Sequence, residues 1–499
     1  MIELFRKKDI PAILLFVIAV LLLVWFFTAK LLIFYKLGYQ SDLYSHLGIA
    51  RGWLTGRPVG HENQYGDHTR LHNYYFDLLM GPFALWWGAY GIFIFQFIVY
   101  LITLWYTFPV LYKAASTIHK KAMVAFFYIV IFCGPIGFFL YDNPHYGFHV
   151  EMMYIPLGFM FAISLYKKQT WVSVLTGILM VSTKEDGPVI AACIHLMYLT
   201  LEWITGKLAT RQWLARCTLW GLLWVAVFIA GLLYIKARNG GNGGRVEASF
   251  ETFYNRRPGE TATYFSTVFR HWFMLQLPLF CTLLFFRVVN WRIWAAWLAF
   301  SLPVIAVNLI SGFVYWPHTF FSITWVPRFS LTFALYLSLL SYCILFVSRN
   351  WFRPKGFSVL MFLLVGALFL RWQYTLLQVY AGYALHYSGK LVYTDPHPDD
   401  YYKHWAEVKR VRDVLPDNYP VSPPNQLFGY FHKQDYIWTG ALHGGYVKPR
   451  MIIIDETNAQ HLDIRYLRPP VDSVITEKVK YYFVAEDRHY LIEAGITER

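Results

Sequence analysis

Charge is what this chain has least of. Only 15% of its 499 residues are Asp, Glu, Lys or Arg, while 57% are hydrophobic and 20% aromatic. Soluble globular domains carry roughly 25% charged residues, so the composition points to an integral membrane protein. Cysteine is scarce as well. Cys133, Cys193, Cys217, Cys281 and Cys343 all lie in apolar runs, none forms a Cys-x-x-Cys pair, and residues 380–499 contain none. Neither a disulfide framework nor a thiolate metal site is expected from that pattern. Low-complexity sequence is confined to "NGGNGG", and no internal repeat is evident.

The net charge of +14 has an address. Residues 380–499 hold 14 Lys and Arg against 16 Asp and Glu, and the first 379 hold 30 against 14. The excess follows the loops of the apolar part, as a topological signal does, so no nucleic-acid partner is expected. Windows long enough for the roughly 30 Å hydrocarbon core fall near 11–35, 84–112, 122–141, 149–166, 170–183, 187–205, 213–236, 272–286, 293–312, 327–347 and 357–378. The 170–183 window is short for a span. The first run begins like a signal peptide but is too long and lacks a clear cleavage site, which predicts an uncleaved first span. Alternate connections are short, basic and free of acid: Lys113/Lys120/Lys121, Lys167/Lys168, Lys207/Arg211/Arg216, Arg287/Arg292 and Arg349/Arg353/Lys355. The positive-inside rule then places the N-terminus in the cytoplasm and, after eleven spans, the C-terminal region outside.

The expected fold is an α-helical polytopic membrane protein of about 11 transmembrane helices over residues 1–379, with outer loops 36–83 and 237–271. Residues 380–499 read as a small α/β extracytoplasmic domain: an amphipathic helix over 401–415, then strand-like "YPVS", "DYIWT", "RMIIID" and "VKYYFVAED" between turn residues.

With that topology, polar residues from five segments fall at one membrane face. The triplet Lys184, Glu185, Asp186 stands between two apolar runs, where an ionisable side chain is costly and usually lines a protein cavity. The alternative is a short solvated loop with a snorkelling lysine. Asp42 heads a helix-like segment after the first span, as an N-cap or as a partly desolvated general base. His68 and His72 are four apart and would share a helical face, with Asp77 close behind. His145 and His149 have metal-compatible spacing, but Pro144 and Gly147 favour a turn, so hydrogen bonding by His149 and Glu151 to a sugar or phosphate is the better reading and no cofactor is expected. His318 and Arg328 flank an aromatic stretch, where the arginine fork suits lipid phosphate or the phosphate of a lipid-linked substrate. The glycine-rich 236–260 segment lacks a P-loop's context and reads as linker or lid.

The succession "SDLYSHLGIARGWLTGRP", "LHNYYFDLLMGPFAL", "FHVEMMYIPL", "STKEDGP" and "VLPDNYPVSPPNQLFGYF…PRMIIID" resembles the polytopic membrane proteins of the domain-of-unknown-function 2079 family over most of the chain. That family is similar to type C glycosyltransferases. The resemblance implies a bundle with long outer loops, Asp42 as the first-loop base, and a sugar on a polyprenyl phosphate as donor. His72, His149 with Glu151, and Lys184-Glu185-Asp186 match its motifs. His318 stands in "WPHTFF" where the family has His-Tyr, and the paired-acid motif of some relatives is missing. The expected function is therefore an inverting transfer of a lipid-linked sugar to an acceptor hydroxyl at the outer face of the cell membrane. The rivals are a non-catalytic lipid- or glycan-binding membrane protein and a transporter or flippase, which would show repeated halves and broken mid-membrane helices.

Overall fold

The computed structural model describes residues 9–35, 41–62, 66–70, 72–134, 147–241, 291–310, 329–346, 398–423, 431–436, 448–455, 470–476 and 479–496, with a few isolated residues between them. The protein is mostly helical. Helix α1 (Ile10–Tyr35) carries a buried stripe of Ala12, Phe16, Ala19, Leu23 and Phe26, spaced alternately four and three apart, while Leu14, Val17, Leu21 and Val24 point outward. The stripe packs against α4 (Ala89–Ala114) through edge-to-face ring pairs, Phe16 with Phe108 and Phe27 with Phe97. Between them come α2 (Ser41–Gly52), a short hairpin of β1 (His61–Glu62) and β2 (Gly66–Asp67), three 3-10 turns and α3 (Gly81–Trp87).

The apolar window at 84–112 is thus two helices. They break at Gly88, whose φ of +58° and ψ of −135° suit glycine. Helix α5 (Ile118–Phe126) passes into a π-helical turn, and a 3-10 turn at Val150–Met153 leads into α6 (Tyr154–Tyr166). Then follow α7 (Thr170–Thr183), α8 (Gly187–Ile204), α9 (Thr210–Arg238), α10 (Trp291–Ile310) and α11 (Phe329–Phe346). Helix α8 is the hub, packed on α6, α7, α9, α10 and α11. Helix α9 is its opposite: Leu214, Leu219, Leu222, Val225, Ile229 and Leu233 are all exposed. An apolar face of that extent marks a membrane or protein contact.

Among the described residues four helices are long and apolar enough to cross a membrane: Ile10–Leu31, Ala89–Ala114, Gly187–Ile204 and Thr210–Arg238. Shorter apolar helices occupy Val150–Tyr166, Thr170–Thr183, Ala295–Ala306 and Phe333–Phe346. The expected windows at 272–286 and, but for isolated residues, 357–378 lie outside the described residues, as does most of the 237–271 loop.

The C-terminal region forms a five-stranded mixed sheet in the order β4-β3-β5-β7-β6, with β3 (Pro420–Ser422) parallel to β4 (Asp435–Tyr436) and β5 (Met451–Asp455), and β7 (Val479–Val484) antiparallel to β5 and β6 (Val471–Ile475). Helix α12 (Pro398–Val414) covers it, and α13 (Arg488–Glu493) closes the chain. Val408, Val411 and Leu415 meet Val421, Met451, Ile453, Tyr481 and Phe483 in a core of their own.

This unit docks on the helical part at one loop. The buried Arg51 guanidinium donates to the carbonyls of His432 and Lys433, at 3.4 and 3.1 Å, and to that of Gln434. The His432 ring lies edge-on between Phe34 and Tyr90 and against Gly88.

Candidate functional site

The loops between α1 and α4, the turn before α6 and the α7–α8 turn meet at one end of the bundle. The last is built by sequence. Lys184 adopts an extended backbone (φ −168°, ψ 168°) that ends α7, and Gly187 and Pro188 open α8 at once. The turn is so tight that a Cβ on Gly187 would stand 2.1 Å from the Met180 carbonyl oxygen. The carbonyl of Lys184 accepts from the Gly187 amide at 3.0 Å. Lys184, Glu185 and Asp186 are 3%, 7% and 6% exposed, which rejects the solvated loop.

Each charge of the triplet has a partner from elsewhere in the chain. The Lys184 ammonium donates to Glu151 and lies 5.9 Å from the centre of the Tyr74 ring. Glu185 Oε1 is 2.8 Å from His72 Nδ1, and Asp186 accepts from the Tyr154 hydroxyl, which also lies 3.3 Å from the Lys184 carbonyl. His149 Nδ1 stands 3.5 Å from Glu151 Oε2. The expected group of His72, His149, Glu151, Lys184, Glu185 and Asp186 is therefore brought together.

Two further imidazole–carboxylate pairs adjoin it. His46 Nδ1 lies 2.6 Å from Asp77 Oδ2, and His68 Nδ1 lies 3.6 Å from Glu62 Oε1. The Tyr74 ring is common to them, stacked with His68 and His72 at 5.0 Å each and 5.0 Å from the His46 ring. His68 and His72 do share a side, but they reach it through a 3-10 turn and loop rather than along an α-helix.

Burial sets the electrostatics. It raises the Asp77 carboxyl, against the pull of His46, and pushes the His149 imidazole well below its ordinary range despite Glu151. Burial also lifts Asp186 to about 6, with Lys184 opposing and Glu151 and Glu185 adding to the rise. Glu185 is the exception. Desolvation works against its charge, but His72, by charge and hydrogen bond, and Lys184 hold it down to about 2. The arrangement offers proton acceptors of different strength beside a fixed ammonium, in a place with little water to compete.

Asp67, by contrast, holds the frame. It accepts from the Thr69 amide at 3.0 Å and from Arg238 at 2.6 Å, tying the end of α9 to the hairpin. Asp42 falls in the first turn of α2, with its side chain outside the described residues. His145, His318 and Arg328 lie outside them altogether. Among the described residues no group of three or more His, Cys, Asp or Glu side chains is arranged to hold a metal.

Sequence reasoning passed over His46 and gave Asp77 no role. Leu43, Tyr44, Leu47 and Ala50 surround His46 on α2 and disguise it as part of a core face. It also passed over Lys30, which is fully buried, donates to Gln96 at 2.7 Å and to the Gly147 carbonyl, and sits 4.8 Å from the Phe93 ring centre. A lysine inside an otherwise apolar run was the available signal. Comparison with known proteins finds no matching family model, no matching curated protein and no matching solved structure.

Proposed function

We propose that the protein is a membrane glycosyltransferase of the type C kind, moving a sugar from a polyprenyl-phosphate donor to an acceptor hydroxyl at the outer face of the cell membrane. The observation that supports it is the buried cluster of four imidazole–carboxylate pairs and Lys184 at one end of an apolar bundle. Such an array is costly at the edge of a bilayer, and it suits a reaction that moves one proton and expels one phosphate. In this reading the bundle has eleven spans, the N-terminus is cytoplasmic, and the C-terminal sheet lies outside with the cluster.

The acceptor oxygen attacks the anomeric carbon as the bond to the phosphate oxygen breaks. The acceptor proton passes to Asp42, and the polyprenyl phosphate leaves as an anion. Lys184, Arg328 and His149 meet that anion, His72, Glu185 and Glu151 hold the donor and its cation in place, Asp186 and His318 contact the sugar, and direct displacement inverts the anomeric centre. The His46–Asp77 pair is a second proton acceptor in the same cluster: a carboxylate at Nδ1 fixes the tautomer that leaves Nε2 basic.

The test is consumption of a lipid-linked sugar by purified protein. Asp42→Asn is expected to slow turnover by roughly a hundred- to ten-thousandfold, the usual worth of a general base, with donor binding retained. Loss in His46→Gln with Asp42→Asn unaffected moves the base to His46. No turnover by the native chain, with donor still bound, leaves the non-catalytic lipid-binding reading in its place.

A further inference from the structure

The docking loop of the C-terminal domain, residues 431–434, touches the helical part at three places. Phe34 near the end of α1 and Tyr90 at the start of α4 hold the His432 ring edge-on, at 5.4 and 5.2 Å. His432 Nδ1 accepts from the Ala89 amide at 3.4 Å. Arg51, 3% exposed in the last turn of α2, reaches the carbonyls of His432, Lys433 and Gln434. One loop thus holds the entry, the first helix and the exit of the segment between α1 and α4. That segment supplies His46, Glu62, His68, His72 and Asp77 to the polar cluster.

The loop is itself fixed within its own domain. Phe431 is fully buried in the domain core, the Lys433 carbonyl also accepts from the Asn418 amide at 3.0 Å, and the Gln434 side-chain amide donates to the Leu415 carbonyl at 3.2 Å. The partners on the helical side need what it offers. An amide at the start of a helix has no acceptor within that helix, and the Ala89 amide finds one in His432. Burial, with Lys433, Arg412 and Arg51 adding to it, pushes the His432 imidazole down to about 3 and keeps Nδ1 an acceptor.

Helix α2 passes its position on at backbone distance. A Cβ on Gly48 would stand 3.1 Å from the Glu62 Cβ, one on Gly52 3.1 Å from the His61 carbonyl oxygen, and one on Gly81 2.6 Å from the Ala50 carbonyl oxygen. A shift of α2 therefore carries β1 and the start of α3 with it. The segment has little regular structure of its own to resist such a shift: a helix of 12 residues, strands of two residues and 3-10 turns. A helix of that length and a lone hairpin are each marginal by themselves, so tertiary ties decide where they sit.

We infer that Arg51 and His432 are positioning residues of the cluster, and that the docked C-terminal domain is the clasp that closes the α1–α4 segment onto α6–α8. Release of the clasp parts His72 from Glu185 and the Tyr74 ring from Lys184, the contacts that join the segment to the triplet. The His46–Asp77 and His68–Glu62 pairs lie within the segment and move with it. A chain with the domain docked has a closed cluster, and a chain with the domain lifted has an open one. This concerns how the cluster is assembled and does not rest on sugar transfer.

The experiment reads the cluster without turnover. Full-length protein in mixed micelles is exchanged into deuterated water and followed by peptide mass spectrometry, and parallel samples are treated with diethyl pyrocarbonate, which carbethoxylates imidazoles that it can reach. Residues 66–80 carry His68, His72 and Asp77 and take their place through α2, so they separate a clasp from a mere contact. Arg51→Met is expected to speed their amide exchange by about ten- to hundredfold, the worth of hydrogen bonds to a charged group, and to raise carbethoxylation of His72, 1% exposed in the native chain, in step. His432→Ala, which releases the same loop from its other side, is expected to do so by about three- to tenfold, the worth of a neutral hydrogen bond. Arg51→Lys keeps a charge with three donors and is expected to fall between the native chain and Arg51→Met. Faster exchange confined to 431–434 and the end of α2, with 66–80 and His72 unchanged, overturns the proposal. A rise shared by residues 191–204 of α8 in both Arg51→Met and His432→Ala is general loosening of the bundle and overturns it as well.

Discussion

The Lys184–Glu151 pair puts the cluster to a direct energetic test. The two side chains are 4% and 1% exposed, so both ions have lost their water. Removing one partner from such a pair costs about 3–5 kcal/mol, because the other charge is left buried. Lys184→Gln takes the ammonium away from the Glu151 carboxylate. The His149 imidazole, 3.5 Å from Glu151, is a weaker counterpart than the ammonium. A cost of about 3 kcal/mol is therefore expected. Glu151→Gln leaves Lys184 beside Glu185 and Asp186, so its cost is smaller, about 1–2 kcal/mol, in the range of a lost hydrogen bond to a charged group. The double variant strands neither ion and is expected to be no worse than Lys184→Gln alone, a coupling of about 1–3 kcal/mol between the two sites. Unfolding titrations of the four proteins in mixed micelles close the cycle. Costs that add to within about 0.5 kcal/mol would falsify the buried pair. Donor titrations on the same proteins separate structure from function: Lys184→Gln is expected to weaken binding of a polyprenyl-phosphate sugar by about ten- to hundredfold, the worth of a charged hydrogen bond, and Glu151→Gln to weaken it less.

Asp186 has its carboxyl raised from 3.8 to about 6, so the folded chain holds that proton more tightly than the unfolded one, and stability falls as pH rises through that interval by about 3 kcal/mol. Asp186→Asn, which keeps an oxygen for Tyr154, is expected to be more stable than the native chain at pH 7.5 and equal to it near pH 4; equal stabilities at both pH values refute the assignment. Glu185 runs the other way, its contribution present above its ordinary 4.5 and lost towards about pH 2, so Glu185→Gln is expected to destabilise at pH 7. Gly88→Ala places a Cβ 2.3 Å from His432 Nδ1 and is expected to expose the docking loop to protease, with His432→Ala restoring part of the protection; an unchanged cleavage rate removes the contact from the docking surface. A reporter active only in the cytoplasm, fused after Arg499, is expected to be silent, and activity there takes one span from the count.

What the sequence discloses depends on whether partners are near or far along the chain. The triplet announces itself because three charges interrupt an apolar run, and β7 because Val479, Tyr481 and Phe483 alternate with outward residues. Strand β6 escapes notice because Asp472 and Ser473 interrupt its β-branched residues, and it exists as a strand through pairing with β7. His46 and Asp77 lie 31 residues apart and Glu185 and His72 lie 113 apart, separations over which no local pattern speaks. Arg51 looks like the basic end of a short helix, and its carbonyl partners lie more than 380 residues away.

The α7–α8 turn also has a consequence for biosynthesis. The partners of the triplet among the described residues, His72, Glu151 and Tyr154, are translated before Lys184 is. Domains generally fold from the N-terminal side during synthesis. The helical hairpin therefore delivers its three charges to counterparts already in place, and the turn's insertion becomes the step that checks whether the preceding loops are correctly assembled.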